Sequence, residues 1–380
     1  MESARYRLGP VRVFPKLSVG NAGYNSNVFG TSENEVSDWE ATATAGARFL
    51  LPAGRKVYFQ ADVLPQYNWY ASEKDFRSFG GAYGGTVFAF FNRLSVEASG
   101  LYTDFTVTPT SESASRSIQR QTSGAGTLAL EITRAVSLLG GGGARRTRYD
   151  SLPGSPIPTD SLADQDRTDS SFFAGVRHSL LGPLAVTLIA ADGRAEFVNK
   201  ASQRDNETRS YMANVLVSST QRIFVNTTVG YRQGRSLHGS LLPKFNSPIA
   251  SAFVSWFPSS SLELQAWGYY RNVSYSLDPN YPLFYESRYG GGPVVRLGPR
   301  IRVQLYGSSG KNDYSVTSAA AAPPPQASTR RTNYGGSMSM LFSRVIVLNV
   351  GASADRYRSP VPAQNRKVVR VLTGLSFEGF

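Results

Sequence analysis

Apolar and polar side chains alternate with a period of two along this chain, in segments that recur about every 40 residues. After Pro52, Val57, Phe59, Ala61 and Val63 fall on one face, with Tyr58, Gln60 and Asp62 on the other. The same alternation follows Asn92 (Leu94, Val96, Ala98 against Ser95, Glu97, Ser99) and Arg300 (Ile301, Val303, Leu305 against Arg302, Gln304, Tyr306). It also follows Gln221 and Ser260. A helix, with 3.6 residues per turn, would scatter these faces, so the segments are strands.

Two kinds of connection separate the strands. Tight turns centre near residues 53, 92, 133, 182, 221, 259, 299 and 343. Between them lie looser segments rich in Ser, Pro, Asp and Asn, such as 26–36, 151–165 and 317–328. Eight turns and nine loops divide the chain into 18 strands, with 16 as the alternative count, and put both ends of the chain on the turn side. Short turns at one rim and longer loops at the other are the signature of a transmembrane antiparallel up-and-down β-barrel, with the short turns periplasmic and the long loops outside. The strands run to about 14–16 residues, against about five or six in soluble sheets. A soluble sheet of that size would expose edges, whereas closure removes them and lipid covers the apolar outer face. Residues 1–380 are therefore read as one all-β barrel domain.

Tyr83, Tyr211, Tyr289 and Tyr334 each stand nine or ten residues before a turn centre, on the apolar face. Nine residues rise about 30 Å along a strand, or about 23 Å of height at a tilt of about 40°. That matches an apolar band about 25 Å tall, so these tyrosines are predicted to form the outer aromatic girdle. The bland alternative, strand tyrosines of a soluble sandwich, gives no reason for a fixed distance from the turn.

Composition narrows the chemistry. With no Cys and 2 His, the chain has no thiol chemistry and little scope for a His-based metal site or triad. His178 and His238 are read as structural or surface residues, and Gly140 to Gly143 lack the Lys-Ser/Thr of a phosphate loop. No run of 18 apolar residues marks a transmembrane helix. The low mean hydropathy of −0.25 averages a lipid face with a wet face. Lys and Arg total 40 against 27 Asp and Glu, a net charge of +13. The cations are spread along the strand ends rather than gathered on one patch, which argues against nucleic acid as the partner. No cofactor is implied, and an enzyme is not expected.

Inward parity collects Asp62, Glu97, Glu263 and Glu378 with Arg232, Arg271, Arg296, Arg302 and Arg370. The candidate pore-lining residues are Asp62, Glu97, Arg232, Glu263, Trp267, Arg271, Arg302 and Tyr306. Opposed charges across a pore bias ion selectivity, and inward aromatics offer faces for sugars. Against this stand mutual neutralisation of the charges and plain packing of the rings. Arg330, Arg331, Arg356 and Arg358, among other loop-side arginines, form a basic outer rim suited to carboxylate or phosphate.

Phe14-Pro15-Lys16-Leu17-Ser18-Val19-Gly20, then Gly23-Tyr24-Asn25-Ser26-Asn27-Val28-Phe29 and Ser37-Asp38, resembles the opening of a β-barrel porin family of Gram-negative bacteria. The resemblance covers about 30 residues. It implies a barrel of this size in the bacterial outer membrane and an association with exopolysaccharide export. On the residues alone, Tyr24 to Asn27 read as a polar loop cap. The terminal Phe380 resembles the signal read by the barrel-assembly machinery, although it falls out of phase with Val371, Leu375 and Phe377. The start, Met-Glu-Ser-Ala-Arg, carries no signal peptide, so a leader is expected to have been removed or to lie upstream.

The expected function is a passive porin-like channel in the outer membrane, serving exopolysaccharide export or another envelope-spanning machine. The alternatives are an anchor with a blocked lumen and a saccharide-specific porin. Outer-membrane lipid and lipopolysaccharide, the assembly machinery during insertion, and polysaccharide or envelope-complex proteins are the expected partners.

Overall fold

The computed structural model describes residues 6–32, 34–107, 116–152, 162–200, 204–217, 222–237, 242, 244–276, 281–315, 328–360 and 365–378. Phe380, His238 and the run from Ala319 to Pro325 lie outside the described residues.

A short strand, β1 (Tyr6–Leu8), doubles back on β2 (Val11–Asn25). The chain then alternates direction through β3 (Asp38–Ala53), β4 (Val57–Tyr70), β5 (Ser78–Phe90), β6 (Leu94–Val107) and β7 (Ser117–Glu131). It continues through β8 (Val136–Ser151), β9 (Arg167–Leu181), β10 (Leu184–Phe197), β11 (Asn206–Val217), β12 (Ile223–Ser236) and β13 (Phe245–Trp256). The last six strands are β14 (Leu262–Tyr275), β15 (Leu283–Leu297), β16 (Ile301–Ser315), β17 (Ser328–Leu341), β18 (Ile346–Arg358) and β19 (Arg366–Glu378). Every strand from β2 onward pairs antiparallel with its neighbours in sequence, and β19 returns to pair with β2, from Arg370 opposite Asn25 to Glu378 opposite Lys16. The result is a closed up-and-down barrel of 18 strands, the count read from the turns. At the tight-turn end, Gly54, Gly182 and Gly298 adopt positive φ (75°, 47° and 67°), which costs glycine no Cβ clash.

Residues paired across strands share a face. The outward set is apolar: Leu17, Leu128, Leu188, Val229, Leu305 and Val371 are between 50% and 58% exposed. On a closed cylinder, such a surface has bilayer hydrocarbon as its solvent. Tyr211, Tyr289 and Tyr334 stand exposed on this face, and Tyr83 packs there against Tyr102, ring centroids 6.2 Å apart. Trp39, Phe79 and Phe172 add exposed outward aromatics that the fixed tyrosine spacing did not single out.

Bulges and prolines interrupt the ladder. Asn21 (φ 51°) marks a bulge in β2 between Gly20 and Gly23. In β4, Pro65 has no N–H to donate, and regular pairing with β3 lapses between Thr44–Gln66 and Ala47–Val63. There the strands approach so closely that a Cβ on Gly46 would collide with the Val63 carbonyl. Gly292, beside Pro293 in β15, makes the same approach to the Leu305 carbonyl. Gly46→Ala is expected to force a backbone shift and lower stability by about 1–3 kcal/mol, the usual cost of overpacking. A urea titration of the detergent-folded protein, with unchanged slope and a lower midpoint, checks this.

Candidate functional site

The lumen is lined by the inward residues, and its periplasmic half is close to self-neutral. Arg48 donates to Asp62 at 2.8 Å, and Gln60 donates to the same carboxylate at 2.7 Å. Glu263 accepts from Ser255 (2.9 Å), Gln265 (2.7 Å) and Arg296 (3.1 Å). Arg302 lies within electrostatic reach of Glu263. Glu97 faces inward from β6, opposite Phe88 of β5, whose ring stacks with Phe90. Tyr306 faces inward against Gly335, and Trp267 lies under the Arg288 guanidinium, 5.6 Å from the ring centroid.

The outer half differs. On β17–β19, Arg331 donates through Nε to both Asp355 oxygens at 3.0 and 2.9 Å. Arg366 lies over the Tyr357 ring, 4.2 Å from its centroid. Four residues further along β19, Arg370 has its Nε buried without a hydrogen-bond partner. Its charged surroundings are Arg116, Glu40, Asp355 and Arg331. Arg116 pairs with Glu40 at 3.0 Å and donates to the Tyr70 hydroxyl. Arg288 bonds Ser308 at 3.0 Å, while its own buried Nε also lacks a partner. Across the barrel, Arg145 and Arg167 share Asp169 (2.9 and 3.2 Å), and Arg232 donates to Ser210 at 3.1 Å. Guanidinium groups therefore outnumber carboxylates along this part of the wall.

The opening motif supports that wall. Asn25, fully buried, donates to Glu40 at 3.2 Å, and its Oδ1 accepts the Asn27 N–H at 3.1 Å. Asn27 in turn exchanges two bonds with the Thr31 backbone (2.7 and 3.0 Å). These are loop-capping contacts, as the polar turn implied, and they also fix the acid that holds Arg116.

The β14–β15 hairpin narrows the lumen. Pairing between β13 and β14 runs only from Trp256–Leu264 to Ala250–Tyr270. Above it, a bulge between Tyr269 and Asn272 puts Arg271 at φ 55°. The bulge resets the parity, so Arg271 leaves the row of Trp267 and Tyr269 but stays inside the barrel, between the hairpin and the inward face of β13. Its Nε bonds Ser247 of β13 at 2.7 Å, and its guanidinium lies over the Tyr285 ring at 4.2 Å. Beyond the bulge, Tyr275 accepts from Asn206 on β11 at 2.9 Å and meets Phe197 on β10 edge-on at 5.0 Å. Three strand spacings along the wall separate β14 from β11, about 14 Å, farther than one tyrosine reaches. The hairpin therefore leaves the wall and crosses the interior. Gln165, from the loop between β8 and β9, fastens it by donating to the Ser276 carbonyl at 2.7 Å. On the far side, Tyr281 and Phe284 pack against Tyr314 at 5.5 and 5.4 Å. Sequence reading missed this hairpin because loop length alone does not show which way a loop folds. The signal available was its content, Tyr281 within the loop at 278–282 and Tyr275, Leu283 and Phe284 flanking it.

Beside Gln165, Asp166 accepts the Tyr149 N–H at 2.8 Å. Burial pushes its carboxyl above the ordinary range, with Asp150 adding to the effect and the Tyr149 N–H opposing it.

The architecture is that of the outer-membrane porins. No family model matches the chain, and no curated protein matches it by sequence. Among solved structures, it is similar to a BenF-like porin from Pseudomonas fluorescens Pf-5, at 11% identity and TM-score 0.58, covering 98% of this chain and 99% of that one. It is similar to Pseudomonas aeruginosa OccK2 in complex with glucuronate (13%, TM-score 0.55, 97% and 98% covered). It is also similar to Pseudomonas aeruginosa OpdK with vanillate (11%, TM-score 0.55, 96% and 98% covered). At such identities the likeness establishes the fold, an 18-strand barrel of porin type. The exopolysaccharide half of the resemblance read at residues 14–38 gains nothing from these structures.

Two predictions follow from the latch. Tyr275→Ala is expected to raise single-channel conductance in planar bilayers by freeing the hairpin. Tyr275→Phe, which loses only the two hydroxyl contacts with Asn206, each worth about 1 kcal/mol, is expected to do so less. Asp166 favours its protonated form in the fold, so its contribution is fully present below the ordinary carboxylate range and is lost as pH rises through its raised pKa. Asp166→Asn keeps the acceptor without the charge. Its unfolding midpoint should exceed that of the parent at pH 7, with the difference shrinking at pH 4.

Proposed function

We propose that this chain is a substrate-selective diffusion channel for small anionic solutes, with carboxylates as the favoured class. The observation that carries the reading is Arg370. A guanidinium with a buried, unpartnered Nε, facing the lumen beside Glu40 and Asp355, whose carboxylates are already held by Arg116 and Arg331, is stabilised by an anion. At an effective dielectric constant near 20, unit charges about 5 Å apart attract by about 3 kcal/mol. That is enough to concentrate an anion at the lumen wall, and weak enough to release it when several such sites are passed in turn. The glucuronate and vanillate named with the similar barrels are both carboxylates, which supports the same class here.

A polymer conduit for exopolysaccharide fits less well, since the β14–β15 hairpin crosses the bore. The blocked-lumen anchor is separated by function. In planar bilayers, the parent is expected to show stepwise conductance with a reversal potential favouring anions in a KCl gradient. Glucuronate or vanillate on the loop side should reduce the current. Arg370→Gln should shift the reversal potential toward cations and weaken the block. Silent membranes from folded protein in every preparation would favour the anchor, and unchanged selectivity in Arg370→Gln would remove Arg370 from the account.

A further inference from the structure

The outward face of the barrel carries charge that the channel does not use. Above the tyrosine girdle on β17, β18 and β19, Arg330, Arg356, Arg358 and Lys367 are all exposed on the outer side. The register sets them in two like-charged pairs, Arg330 directly opposite Arg358 and Arg356 directly opposite Lys367. Directly opposed residues have Cβ atoms about 5 Å apart, and like charges at that spacing are destabilising. Among the described residues, none of the four pairs with a carboxylate, although Glu35 lines a hollow of about 630 Å³ together with Arg356, Arg358 and Lys367.

Other outward cations at the same rim are compensated. Arg120 pairs with Asp104 (3.3 Å) and Asp150 (2.6 Å), and Arg209 pairs with Asp192 (2.8 Å). Arg235 pairs with Glu207, and Arg194 with Glu196. The β17–β19 patch is thus a concentration of cations for which the described residues supply no paired counter-charge.

Position identifies the ligand chemistry. Tyr334 stands at the girdle, four residues below Arg330 on the same outward row of β17. At about 3.3 Å per residue, the patch begins within about 13 Å of the girdle along the strand, where the bilayer's charged headgroups begin. It faces away from the lumen, so permeating solutes do not pass it. The phosphate-bearing lipid of an outer leaflet at this height is lipopolysaccharide, and three guanidinium forks match phosphate oxygens in pairs.

We infer that Arg330, Arg356, Arg358 and Lys367 form a binding site for the lipid A phosphates of lipopolysaccharide on the outer wall of the barrel. The test uses the full chain folded in non-ionic detergent, titrated with lipopolysaccharide and followed by native mass spectrometry. Retained heat-modifiable migration on gels reports that each variant is folded. The parent is expected to bind lipopolysaccharide and to lose that binding when lipid A is dephosphorylated. R330Q/R356Q/R358Q/K367Q should weaken binding by about fivefold for each cation removed, following the usual worth of a basic residue at an anionic surface. R209Q/R235Q, which removes two compensated cations, should bind as the parent does. Equal binding of dephosphorylated lipopolysaccharide would overturn the inference. So would parental affinity in the quadruple variant, or inorganic phosphate displacing lipopolysaccharide at matched phosphate concentration.

Discussion

Within hydrocarbon, every backbone N–H and C=O must find its partner inside the chain, and closure of the sheet is what achieves that here. The rest of the molecule follows from this requirement. Closure with alternating strands puts half the side chains in lipid and half in the lumen, so one sequence specifies two unrelated surfaces at once. The outer surface is chosen for hydrophobicity and its aromatic rim. The inner surface is freed from packing a core, and can carry charge at a density that a protein interior would not tolerate. Arg370 with a bare Nε is a side chain that only a wet, walled space can hold.

Period-two reasoning reaches as far as the ladder stays regular. It placed Asp62, Glu263, Arg302 and Tyr306 on the inward face because β4, β14 and β16 are uninterrupted below their bulges and prolines. It did not anticipate the bulge at Arg271, because an arginine in a left-handed conformation carries no local signal as a glycine would; the side chain still lies inside the barrel, on the Ser247 side of the hairpin. The turns were legible from Pro, Gly and Arg clusters, and with them the strand count. The hairpin that crosses the lumen was not, since its direction is decided by partners such as Asn206 and Gln165, far away in sequence.

The excess of positive charge, which composition presents as one number, divides into several groups. Some cations are compensated in place, as Arg48 is by Asp62 and Arg209 by Asp192. Some face the lumen in excess around Arg370. Others stand on the outside at β17–β19, and others again, such as Arg55, Arg93, Arg222, Arg300 and Arg344, are exposed at the tight turns. Reading the net charge as a single property would have assigned it to one partner, whereas the barrel separates the groups by a wall one strand thick.

The closing contact carries a kinetic consequence. Ser26 grips Val369 twice: its own N–H donates to the Val369 carbonyl at 2.9 Å, and its Oγ accepts the Val369 N–H at 2.9 Å, across 343 residues of sequence. Every other strand pairing joins neighbours in sequence and is cheap to nucleate. This one carries a loop-closure entropy of about 5 kcal/mol before any bond rewards it. The curled sheet therefore grows strand by strand with two open edges, and the β2–β19 seam is the last to join. The polar cap at residues 25–27, which holds the end of β2 rigid before its partner arrives, lowers the entropy still to be lost in that final step and shortens the time during which both edges are exposed to misassembly.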